Sequence, residues 1–120
     1  MKKIDTVFVF GSNLAGRHGK GAALVARNEW GAAYGLGIGF TGDAYAIPTK
    51  DENLEVLPLD KIQEYVNEFL KVVKLHPTII FYVTAFGTGL AGYSVTQIKG
   101  LFGDFSKLPY NIVFTKDWMT

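Results

Sequence analysis

Thr6-Val7-Phe8-Val9-Phe10, then Gly11-Ser12-Asn13-Leu14-Ala15-Gly16-Arg17-His18-Gly19-Lys20-Gly21, then Ala22 to Trp30: the reading of this stretch decides the fold. The β-branched and aromatic run is bounded by glycine and reads as a buried strand. The segment after it is too rich in glycine for regular structure. Ala22 to Trp30 fits a helix that ends near Gly31, a glycine placed where helices stop. Ala22, Ala23 and Ala26 at its start predict that another element packs closely there.

Working outward, Gly35 to Gly42 reads as an irregular connection or a weak strand, and Ala44 to Ile47 as a strand stopped by Pro48. Asp51 to Pro58 is a polar loop. From Leu59 the period becomes helical, with Ile62, Val66, Phe69, Leu70 and Val73 on one face, and His76-Pro77 ends the helix. Thr78 to Thr84 is almost continuously apolar, as a strand covered on both faces requires. A second glycine loop, Gly87-Thr88-Gly89-Leu90-Ala91-Gly92-Tyr93, leads into Ser94-Val95-Thr96-Gln97. That tetrapeptide is a capping box, opening a helix expected to bury Ile98, Leu101, Phe102 and Phe105. Asn111 to Thr115 is the last strand, with Trp118 beyond it. Strands alternate with helices, so the expectation is one α/β domain, residues 1–120, with a largely parallel sheet.

Composition narrows the function classes. Of 120 residues, 48% are hydrophobic and 19% charged, enough to build a core. The formal net charge of +1 gives no reason to expect long nucleic-acid duplexes or anionic membranes as partners. Absence of cysteine excludes disulfides, thiolate metal sites and a cysteine nucleophile, and His18 and His76 alone argue against a histidine-rich metal site. The apolar run after Lys2-Lys3 stops at Gly11, too early for a signal peptide or a membrane span. A cytoplasmic protein is expected.

Both glycine loops are read as lying between a strand and a helix N-terminus. There, amide groups lack helical partners and the helix dipole favours an anion. Glycine lets a ligand approach closely and lets amides turn inward. Two such loops side by side could grip a diphosphate. Gly87 to Gly92 matches G-x-G-x-x-G after a strand, although the acidic partner of a dinucleotide site is not in place. Gly37 to Gly42 matches the same string but precedes a strand, and is set aside. Gly16 to Gly21 does not fit the phosphate loop of nucleotide triphosphatases.

From Val7 to about Phe114 these runs resemble a macrodomain, the ADP-ribose-binding α/β fold. Phe10-Gly11-Ser12-Asn13 followed by Gly16 to Ala23 is similar to that family's first loop, and Ala85 to Tyr93 to its second. His18-Gly19-Lys20-Gly21-Ala22-Ala23 and Ile47-Pro48-Thr49-Lys50 resemble the glycohydrolase subgroup that includes the DNA ADP-ribosyl glycohydrolase antitoxins. The resemblance implies a three-layer α/β/α domain with a mostly parallel or mixed sheet, shortened at its N-terminus. It implies that ADP-ribose or a similar nucleotide is the ligand, and that ADP-ribosylated DNA or protein is the partner. No cofactor is implied. Gly11, Ser12 and Asn13 would contact the ligand, Asn13 at the distal ribose. Gly19, Lys20, Gly21 and Ala22 would hold one phosphate. Gly87, Thr88, Gly89, Leu90, Ala91, Gly92 and Tyr93 would hold the other phosphate and the distal ribose. Lys50 would be the catalytic lysine, acting at the anomeric carbon or on the leaving group.

Trp118 is read either as a platform for adenine or as a cover for the end of the core. Arg17, His18 and Lys20 are read either as phosphate shields or as solvated loop residues. Where macrodomains carry an upstream aspartate for adenine, only Asp5 is present. Where one glycohydrolase branch has an acid in the second loop, this chain has Ala91 or Gly92, so Asp51 or Asp43 would have to supply it. Three functions follow: a glycohydrolase, a reader or sequestering module without turnover, and a structural protein, for instance viral, that has kept the fold.

Overall fold

A computed structural model describes residues 6–89 and 91–119. Two expectations, on Asp5 and Leu90, fall outside them. The first strand, β1 (Thr6–Asn13), leads to helix α1 (Gly21–Glu29), and a hairpin follows, β2 (Gly39–Thr41) and β3 (Ala44–Lys50). Helix α2 (Leu59–Leu75), strand β4 (Ile80–Val83), helix α3 (Val95–Gly100) and strand β5 (Ile112–Phe114) complete the α/β domain. The five-stranded sheet is ordered β2-β3-β1-β4-β5, parallel except for the antiparallel β2 at one edge.

Alternation along the central strands sorts the apolar side chains into two cores. Val7 and Val9 of β1, with Tyr45 and Ile47 of β3, join Phe81, Val83 and the α2 residues Ile62, Val66, Phe69 and Val73. Phe10 of β1, with Ala44 and Ala46 of β3, packs instead with Ala23 and Ala26 of α1. Small residues on both sides of that second contact let α1 lie close to the sheet, as its alanines predict. The ring of Phe8 stacks on Trp30 at 5.2 Å and closes the end of this core.

Three local expectations are corrected. Pro48 does not stop its strand, because β3 continues to Lys50 with Pro48 opposite Ser12. The β2 partner reaches only Ala44 to Ala46, so no ladder on that side needs the missing proline N–H. The first strand is not bounded by Gly11: β1 runs on to Asn13, its Gly11 and Ser12 pairing with Ile47 and Pro48 of β3. The stretch before β3 forms the short edge strand β2, which makes the sheet mixed. The third helix is shorter than its apolar pattern suggests. It ends at Gly100, Gly103 follows with φ +71°, and Phe105 falls in a separate 3₁₀ turn, 42% exposed. The capping box itself forms as read, Ser94 and Gln97 each bonding the other's backbone.

Among the described residues no helix is long and apolar enough to cross a membrane. The end of α2 is tied to β5 by Asn111, whose buried amide donates to the carbonyls of Val73, His76 and Ile79. Asn111→Ala leaves those three carbonyls without this donor. It should lower the unfolding free energy by about 2–4 kcal/mol in urea melts, with little change in slope.

Candidate functional site

Parallel pairing aligns the carboxyl ends of β1, β3 and β4, where ligands bind in sheets of this kind. Asn13 stands opposite Lys50, and the amide of Thr84 donates to the Val9 carbonyl at 3.0 Å. The two glycine loops therefore leave the sheet side by side. A Cβ built on Gly11 would lie 3.0 Å from the Phe86 Cβ and 3.4 Å from the Gly87 nitrogen. Between the loops lies a cavity of about 770 Å³.

Most of the candidate residues line it. Gly11, Ser12 and Asn13 enter from β1; Gly19, Lys20, Gly21 and Ala22 from the first loop and the start of α1. Lys50 enters from the end of β3, and Gly87, Thr88, Gly89 and Ala91 from the second loop. Gly92 and Tyr93 do not line it; the Tyr93 hydroxyl donates to the Leu57 carbonyl at 2.6 Å. Sequence reasoning did not single out Thr49, Leu54, Thr84 or Asp117, which also line the cavity. Asp117 and Leu54 carry no local signal, since only the turn after β5 and the loop after Lys50 bring them in.

The two loops differ in what they offer an anion. Lys20 caps α1 without a side-chain hydrogen bond, so the first-turn amides keep their open end towards the cavity. The second loop is not closed onto a helix end in this way. Ser94 and Gln97 satisfy the start of α3, and the loop is instead a turn, with Gly92 N donating to Gly89 O and Tyr93 N to Gly87 O, each 3.0 Å. Only the first loop therefore runs into a helix whose start carries no side-chain cap. Thr88 ties its hydroxyl to the Ala85 carbonyl at 2.6 Å, which fixes the turn.

The first loop is built from its own backbone. The Asn13 side chain accepts from Arg17 N at 2.9 Å and donates to Arg17 O at 3.0 Å, so its amide closes the loop as well as facing the cavity. Ser12 is buried and its hydroxyl donates to the Gly37 carbonyl. Gly37, the first residue of the run set aside in the sequence, packs against this loop together with Gly35. A Cβ at Gly37 would fall 1.9 Å from the Asn13 carbonyl oxygen, and one at Gly16 would fall 2.2 Å from the Gly35 carbonyl carbon. Only glycine permits backbones to pass that closely.

Charge at the site is uneven. Arg17, Lys20 and Lys50 line the cavity, with Asp117 the one carboxylate among the lining residues. Asp117 accepts from the Ala85 amide at 2.9 Å and from the Thr115 hydroxyl, which braces the start of the second loop. Asp51, one of the two acids considered above, accepts from the amides of Asn53 and Glu55 and organises its own turn. Neither Asp51 nor Asp43 lines the cavity. Leu54, at the tip of that turn, has φ +65° and is 40% exposed beside the cavity. Trp118 belongs to the core: it is 2% exposed, and its indole N–H donates to the Val83 carbonyl at 2.6 Å. His18 is likewise buried, behind the loop, rather than solvated or turned to the cavity. Among the described residues no cluster of His, Cys, Asp or Glu could hold a metal ion.

No family model, curated protein or solved structure matches the chain.

Gly37→Ala should destabilise the protein by more than about 2 kcal/mol, because backbone must move to admit the methyl group. Gly89→Ala, where a Cβ meets nothing within 4 Å, should stay within about 0.5 kcal/mol of the parent in the same melts.

Proposed function

We propose that the cavity binds ADP-ribose or a closely related nucleotide diphosphate sugar, and that Lys50 hydrolyses an ADP-ribosyl bond on a nucleic acid or a protein. The observation that carries this reading is the pairing of two unlike cradles across one cavity. On one side are the open amides of α1, on the other is a hydrogen-bonded glycine turn, and Lys50 lines the same cavity from the end of β3, beside the first loop. A diphosphate presents two anionic groups, one for each cradle, whereas a single phosphate needs only one. The excess of cations over carboxylates at the lining favours the same ligand.

The macrodomain resemblance supplies the rest of the reading, including the layered α/β/α arrangement and the distal ribose beside Asn13 and Lys50. Lys50 is half-buried at the strand end. In this reading its amine acts at the anomeric carbon of the distal ribose or on the departing group, with water completing hydrolysis. A second reading, binding without turnover, is favoured by the way the nearby acids are used. Asp51 and Asp117 are both engaged in bracing loops.

Gly19→Ala and Gly89→Ala place methyl groups in open space at the two cradles. Each should keep the fold and weaken ADP-ribose binding about tenfold or more by calorimetry, a loss of roughly 1.4 kcal/mol. Saturating ADP-ribose, at about 100 times its dissociation constant, should raise the stability of the parent by about 2.7 kcal/mol; no such gain would defeat the binding assignment. Lys50→Ala should abolish release of ADP-ribose from modified DNA or protein while still binding the free ligand. Tight binding by the parent with no release from either substrate would select the reading without turnover.

A further inference from the structure

His18 lies between two cavity-lining residues, Arg17 and Gly19, yet its side chain turns away from the cavity and is fully buried. It packs edge-on against Phe10 at 5.2 Å and near Tyr34 at 6.3 Å. Neither ring nitrogen has a hydrogen-bond partner among the described residues. A phenylalanine or leucine would fill this space without leaving polar atoms dry, so an imidazole here is costly to the fold.

We propose that His18 is a positioning residue that pins the first glycine loop in its anion-binding shape, and that protonation of its ring unpins the loop and releases the ligand. The inference rests on the reading of the cavity as a diphosphate site. Its geometry is specific to this loop. The ring ties the segment Arg17 to Lys20 to Phe10 of β1 and to Tyr34, while Gly35 and Gly37 hold the preceding turn. If the ring leaves its place, Gly19 and Lys20 move with it, and the amides at the start of α1 lose their lining.

The groups facing the ring bias it in one direction. From α1, Arg27 places a positive charge near it, and the same guanidinium lies 5.0 Å over the Tyr34 ring. From the segment that packs against the loop come Tyr34 and the backbone of Leu36; from β1 comes only the apolar Phe10. None of these is a carboxylate. Burial, first, and Arg27 hold the imidazole below its ordinary value of 6.5, and the Leu36 backbone, which favours the protonated form, makes no hydrogen bond of normal geometry and does not reverse this. The folded state therefore prefers the neutral ring. The contribution of the pinned loop is complete above about pH 6.5 and is lost as pH falls through the lower folded-state value.

The experiment is ADP-ribose calorimetry from pH 8 to pH 5 on the parent, His18→Phe and His76→Gln. Near-ultraviolet circular dichroism checks at each pH that the chain stays folded. A pyrophosphate diester keeps both charges over this range, so a change in affinity reports on the protein. The parent should weaken at least tenfold between pH 8 and pH 5, and His76→Gln should follow it. In His18→Phe the change should fall to within about twofold, because the space stays filled and nothing there titrates. Equal pH dependence in the parent and His18→Phe would overturn the proposal while leaving the diphosphate site standing. Should His18→Phe not fold, or should the parent bind no ADP-ribose, the parent's own NMR titration decides. The His18 ring and the amides of Gly19 to Ala22 should then shift with one common midpoint below pH 6.5. Amides that stay unmoved while the ring titrates would refute the coupling.

Discussion

The register of β1 between β3 and β4 is the constraint on which the rest of the molecule depends. All three strands run the same way, so their carboxyl ends form one edge of the sheet. Asn13, Lys50 and the Thr84 to Gly87 turn come from distant parts of the chain, and parallel pairing alone brings them together. A slip of one residue would exchange the two faces of a strand, sending Val7 and Val9 towards α1 and Phe10 towards α2. The two cores hold the register because they are unlike: one is aromatic and bulky, the other lined with alanine. Neither can accept the other's side chains.

Once the strand ends are fixed, the cavity is shaped by where backbone is allowed to go. The first loop curls tightly because Asn13 bonds the backbone of Arg17 and because Gly16 and Gly37 carry no Cβ. The second is held by its own amides, by Thr88 and by Asp117 acting on Ala85. Both loops are thus held by contacts of their own chain. The single non-glycine residue with positive φ among those described, Leu54, sits beside this cavity and not in the core.

Much of the fold was legible in the residues. The β-branched run Val7 to Phe10, the helical spacing from Ile62 to Val73 and the Ser94 to Gln97 capping box are each signals of short range, and each formed, although β1 runs on to Asn13, past the Gly11 that was read as its end. The glycine loops were legible for the same reason, since dense glycine has few uses other than turns and close approach. What failed to show was anything whose meaning lies in a partner. Pro48 reads as a strand breaker until one knows that β2 stops short of it. Gly37 looks like part of a stray motif until the Asn13 carbonyl is seen 1.9 Å from where its Cβ would be. His18 reads as one more basic loop residue, and Trp118 as a free platform, because sequence carries no record of burial.

The sequence by itself therefore determined the alternation of strands and helices, the two hydrophobic periods and the placement of flexible glycine between them. These are local properties, set by propensity, capping and spacing along the chain. Tertiary structure alone decided that the two loops line one cavity, that Lys50 enters it opposite Asn13, and that Asp117 rather than Asp51 joins the lining. It also decided that His18 is withdrawn from solvent. Each of those depends on contacts between residues far apart in the chain, and parallel strand pairing, not local preference, sets such contacts.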